Sequence, residues 1–174
     1  MSSLYARRTN QKLYFARLHL EALSQAMSAQ SWHRHALIDS YQESVLFHLY
    51  AAYRAYLVEL AEAYSIPAVQ LCSDFDLGSL LEERGFEGPE YVALVALLES
   101  KSSWLSQLSR AYQACWQVKE DAGLTSPAAS ASEIQVVQVD SDHQNDEDVQ
   151  KQLQGWLKNL RDIIEEGRKT LQEW

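Results

Sequence analysis

The chain has few of the residues that punctuate or cross-link a fold. Among 174 residues there are two cysteines, three prolines and six glycines. Cys72 and Cys115 lie far apart and neither sits in a metal-ligand spacing, so two free thiols in a reducing cytoplasm are expected. The glycines are scattered, which excludes a phosphate-cradling loop. No Gly-x-Ser-x-Gly occurs, and no Cys and His stand in a recognisable nucleophilic motif. The longest apolar run, Tyr91 to Leu98, is far too short to span a bilayer. The N-terminus lacks a continuous apolar stretch, so no signal peptide is expected. Together these absences point to a soluble cytoplasmic protein that is not an enzyme and carries no cofactor or metal.

What the chain does have is a hydrophobic period of three to four residues, and that period predicts an all-α protein. A first helix is expected from about Leu4 to Gln30, its stripe Leu13, Ala16, Leu20, Leu23 and Met27. A second should begin near Trp32, with Ser31 as N-cap, and run to Tyr64 along Ile38, Tyr41, Val45, Leu49, Ala52, Tyr56 and Leu60. Pro67 ends it, because the residue before a proline avoids helical angles. Asp76 can cap a short helix that stops at Gly85.

Gly88-Pro89-Glu90 reads as a helix start, and the stripe Tyr91, Leu94, Leu98, Leu105, Leu108, Tyr112 and Cys115 carries that helix toward Gly123, with Lys101 interrupting the line. Residues 124–146 are rich in Ser, Ala and Asp and read as a flexible acidic linker. The last helix carries Val149, Leu153, Trp156, Leu160 and Ile163 on one seam. The expected architecture is an up-down bundle of four long helices and one short one. It divides into a bundle core (1–123), the linker, and a C-terminal amphipathic helix (147–174) packed on the bundle. The linker would also allow that helix to pair with another chain.

Charge is unevenly spread. The formal net charge is −9, which disfavours non-specific nucleic-acid binding. Yet the first 35 residues hold Arg7, Arg8, Lys12, Arg17 and Arg34 against only Glu21, whereas eight acids and no Lys or Arg lie between Lys119 and Lys151. Arg7, Arg8, Lys12 and Arg17 are therefore the candidate contacts for a phosphate or an acidic partner.

His35, Asp39 and Glu43 share a helix face, with His33 and His48 nearby, and imidazole with carboxylate can bind zinc, manganese or iron. A bundle metal site of the ferritin type needs Glu-x-x-His on two helices, and none is present, so no metal is expected. The acidic run starting at Asp140 fails as a calcium loop, having Asn145 where glycine and Lys151 where glutamate are required. Before it, Ile134 to Val139 is the strand-like piece of the chain, suited to strand addition on a partner.

Nine tyrosines and five tryptophans are many for a helical protein. Tyr50, Tyr53, Tyr56, Tyr64, Tyr91 and Tyr112 fall at helical spacing and suit a bundle rim or an interface. Trp156 and Trp174, with Leu153, Leu160 and Ile163, form the candidate interface on the last helix.

Tyr14 through Tyr64, with its aromatic and Ala-rich middle, resembles the opening hairpin of HEPN-type bundles. Catalytic members carry Arg, then four to six residues, then His; no Arg here precedes a His in that way. The resemblance implies a non-catalytic HEPN-like component of a toxin–antitoxin or defence system that binds RNA or nucleotide. The whole chain, including the late Trp-bearing helix, is also similar to a family of short uncharacterised helical proteins from Pseudomonas-like gammaproteobacteria, which implies fold and a bacterial cytoplasm. The first expectation for function is a non-enzymatic bundle that binds a protein partner or itself. The HEPN-like role is the alternative.

Overall fold

The computed structural model describes residues 4–66, 76–83, 88–117 and 146–173. Every element among them is helical: α1 (Leu4–Ser28), α2 (Arg34–Ala63), α3 (Asp76–Glu83), α4 (Pro89–Glu99), α5 (Trp104–Ala114) and α6 (Asp146–Glu173). The expected linker lies outside the described residues except for Asp146, the first residue of α6. Cys72, Trp174 and the strand-like 134–139 also lie outside them.

Helices α1 and α2 form the principal pair. Lys12 meets Phe47 and His19 meets Tyr41, so residue numbers rise on one helix as they fall on the other and the pair is antiparallel. The predicted stripes are the buried ones. Leu13, Ala16, Leu20 and Leu23 of α1 face Ile38, Val45, Leu49, Ala52, Tyr56 and Leu60 of α2. Each large side chain removed from water contributes roughly 1.5–3 kcal/mol before ordering entropy is counted. Helix α6 lies against α1, α2 and α5, and Leu153, Trp156, Leu157, Leu160 and Ile164 complete the core.

Two helix starts differ from expectation. Helix α2 begins at Arg34, not near Trp32. Ser31 makes no side-chain cap; its carbonyl accepts from the Arg34 N–H in a preceding turn, and Trp32 is 92 % exposed. The long helix expected from Gly88 to Gly123 is two helices, α4 and α5, of 11 residues each. The described residues therefore hold three long helices, not four. The break falls at Ser100-Lys101-Ser102-Ser103. Serine hydroxyls compete for backbone groups and favour caps over helix interiors. Ser103 does so here: its hydroxyl accepts from the Ser106 N–H at 3.1 Å and donates to the Leu97 carbonyl.

Helix α2 ends in a Schellman motif. Ile66 N–H bonds the Ala61 carbonyl at 2.7 Å and Ser65 N–H bonds that of Glu62 at 3.0 Å. Ser65 takes the left-handed position, φ 57°, where glycine is usual. Ile66 is buried beyond it and Pro67 follows.

Candidate functional site

Two polar regions sit on α2, and their chemistry is opposite. At its C-terminal half, polar groups close on one another. The Arg168 guanidinium of α6 donates to both carboxylate oxygens of Glu59, at 2.6 and 2.8 Å. It also donates to Asn10 Oδ1 at 2.9 Å and to the Ala6 carbonyl at 3.4 Å, so one side chain ties α6 to α1 and α2. That ion pair raises the guanidinium's proton affinity still further. Beside it the Tyr64 hydroxyl donates to Glu90 Oε2 at 2.5 Å, joining α2 to α4. Burial pushes the Tyr56 hydroxyl's pKa up, and the Glu59 and Glu90 carboxylates push it further. Burial and Glu90 raise the Tyr64 pKa likewise, so both tyrosines stay neutral. Gly167 lets α6 approach, because a methyl group there would overlap the Tyr56 hydroxyl. A glycine inside a helix costs about 1 kcal/mol relative to alanine, and here close contact requires it.

The other region is a face formed by α1, the middle of α2 and the end of α5. Tyr50 of α2 stacks on Tyr112 of α5, ring centres 4.2 Å apart and planes 11° from parallel. Lys12 lies over the Phe47 ring at 5.3 Å. A cavity of about 600 Å³ opens between them. Its cations are Arg8, Lys12 and Arg54, and no carboxylate lines it among the described residues. Burial and the neighbouring Arg8 charge lower the Lys12 pKa, as expected where positive groups gather. Phe47 and Tyr112 also border a second cavity of about 300 Å³, with Glu43, His48 and Trp116. Phe47 is 47 % and Trp116 73 % exposed.

Between these cavities and the core lies a histidine pair. His48 stacks on His19 at 5.0 Å and meets Phe15 and Phe47 edge-on. His48 Nδ1 is buried without a hydrogen bond. Burial, then Lys12, His19 and Arg8, pushes the His48 pKa down to about 4, so the ring is neutral near pH 7. A neutral imidazole packs against three aromatic rings without the cost of a desolvated charge.

Of the four cations singled out in the sequence, the fold brings Arg8 and Lys12 into the aromatic face. Arg7 is exposed outside it. Arg17 pairs with Glu21 at 3.5 Å, lies over Tyr14 and borders a separate cavity of about 180 Å³. Arg54 was missed. Its signal was a single cation in the otherwise uncharged run from Ser44 to Val58.

The seam of the last helix is placed differently from a free interface. Leu153, Trp156 and Leu160 are buried in the chain's own core and Ile163 is half-buried. A partner could meet them only if α6 left the bundle. His35 and Glu43 are exposed and Asp39 half-buried on α2. No group of three or more His, Cys, Asp or Glu able to hold a metal occurs among the described residues. No helix among them is long and apolar enough to cross a membrane.

The fold and this face define an all-α bundle with an aromatic surface that carries Arg8, Lys12 and Arg54. The chain belongs to a family of unknown function, DUF6586, whose model matches residues 1–174. No curated protein and no solved structure matches it.

Proposed function

We propose that this is a non-enzymatic helical-bundle protein that acts by binding a protein partner, with the α1–α2–α5 face as its working surface. The observation that carries the reading is the union of exposed aromatics with Arg8, Lys12 and Arg54 in one cavity. Aromatic residues and arginine are the groups enriched where binding energy concentrates. Uncovered aromatic rings cost solvation, and leaving them exposed makes sense where a partner covers them. The setting that accords with the family resemblance is the bacterial cytoplasm.

The test is a photo-crosslinking amino acid placed at Phe47, and separately at the exposed Lys158 of α6, in the cell that makes the protein. A discrete protein adduct is expected from Phe47 and not from Lys158. Equal adducts at both sites, or none at either, would overturn the reading.

A second reading draws on the same groups: a HEPN-like component that binds RNA or nucleotide without catalysis. Stacked tyrosines beside arginine and lysine also suit bases and phosphates. An RNA mobility shift that weakens steeply with salt would favour it over the first.

A further inference from the structure

The smaller cavity, of about 300 Å³, lies between one side of α2 and the end of α5. Helix α2 supplies Ser40, Glu43, Phe47 and His48, whose spacing puts them on one side of the helix. Tyr112 stands in the last turn of α5 and Trp116 just past its end. Their ring centres are 6.1 Å apart and their planes 81° from one another, so the two rings make an aromatic corner. The stack on Tyr50, at 4.2 Å, holds Tyr112 in place. Cation–π attraction acts within about 6 Å of a ring centre and is best over tryptophan. One cation in the corner can therefore meet both rings. Glu43 brings a carboxylate to the same cavity. His48 also borders it and is neutral near pH 7, so the imidazole does not repel a cation. Phe47 is already met by Lys12, which borders the larger cavity, so Phe47 serves here as an apolar wall.

The walls select the kind of cation. A bare ammonium carries three hydrogen-bond donors and holds its water strongly, and ring faces replace that water poorly. Methyl groups remove the donors and wrap the charge in apolar surface, which suits rings and a single carboxylate. The volume is at the lower end of the range for small-ligand sites, room for a headgroup rather than a large molecule. The net charge of −9 favours the approach of a cation.

We propose that this cavity binds a methylated ammonium group, seated in the corner of Tyr112 and Trp116 with Glu43 as its counter-charge and Phe47 against its apolar side. The same chemistry is carried by a trimethylated lysine side chain of a protein and by a free quaternary ammonium such as choline. The inference goes beyond the partner-binding role proposed above and stands without it.

The test is titration calorimetry on the whole protein with two probes: choline, and a short peptide carrying one trimethyl-lysine. Each has a control of nearly the same shape, the neutral tert-butyl analogue of choline and the same peptide with unmethylated lysine. At least one probe is expected to bind, and at least about tenfold more tightly than its control, the range of a desolvated cation–π contact. Trp116→Ala should weaken that probe about tenfold, and Glu43→Gln should weaken it less. Both residues are exposed, so neither change threatens the fold. Tighter binding of the peptide would assign the site to a methylated protein, and equal or tighter binding of choline to a small quaternary ammonium. Absence of binding by both probes at millimolar concentration, binding no tighter than the controls, or affinity unchanged in Trp116→Ala would overturn the inference.

Discussion

The two polar regions of α2 are built from similar residues and do opposite work. Around Glu59, charge and hydroxyl find partners inside the molecule: Arg168 for Glu59, Glu90 for Tyr64. Around Phe47, about three turns earlier on the same helix, tyrosines and cations line a cavity. The first arrangement ties four helices, α1, α2, α4 and α6, together. The second leaves charge and aromatic surface facing outward. A buried pair contributes little net stability but is costly to break, whereas an exposed cation contributes little to the fold either way. The staple should therefore be sensitive to substitution, and the face tolerant of it.

That contrast can be broken from several directions. The largest effect should come from Trp156→Ala, which removes a 94 % buried ring from the helix that the staple anchors and should cost about 3–5 kcal/mol by denaturant unfolding. A loss under about 1 kcal/mol would show that α6 adds little to the fold, leaving the staple nothing to secure. Glu59→Ala should cost about 3 kcal/mol, since it strands a partly buried guanidinium. The paired change Glu59→Leu with Arg168→Leu should come within about 1 kcal/mol of the parent, because both charges go together. If the pair costs as much as Glu59→Ala alone, the staple contributes through packing rather than charge.

Gly167→Ala should cost about 1–3 kcal/mol through overlap with the Tyr56 hydroxyl, and Tyr56→Phe should recover most of it. Equal losses in the single and double variants would place the strain elsewhere.

Smaller effects belong to the face. His48 has its folded pKa pushed down to about 4, below the ordinary imidazole value of 6.5. The unfolded chain therefore binds more protons between those two values. The contribution is whole above pH ~6.5 and is lost as pH falls through ~4. The ring is only partly buried, so screening limits the effect to about 1 kcal/mol. Comparing denaturant midpoints of the parent and His48→Gln at pH 7 and pH 4.5 should show a gap that narrows in acid. A gap that widens would contradict the sign. The smallest change in stability, within about 0.5 kcal/mol, should follow Lys12→Glu, even as it weakens binding at the face. A large loss of stability there would mean the cations are structural and would erase the distinction between the regions.

Much of the fold was legible before any packing was known. The stripes of α1, α2 and α6 are buried where the period put them, and Pro89 opens α4 as its position indicates. The break at Ser100 was legible too, but it was outweighed by a stripe that runs on in phase across it. Apolar residues on either side of a break can share one period by chance of spacing, and the period reports burial, not continuity. The candidate site was half legible. Arg8 and Lys12 stood out as part of a basic N-terminal stretch; Arg54 did not, because it is far along the chain from them.

The sequence by itself determined that this protein is helical, which face of each long helix is apolar, and where proline and the Gly-Pro-Glu start stop or begin a helix. Those are local properties, set by side chains within a few residues of one another. Tertiary structure alone decided that Arg168 reaches Glu59 across 109 positions and that Gly167 lies under Tyr56. It also decided that Arg54 joins Arg8 and Lys12 while Arg17 borders a separate cavity with Arg161 and Glu165 of α6. These meetings depend on the rotation and register of whole helices against one another. That is set by the summed packing of the buried stripes, and no single window of sequence contains it.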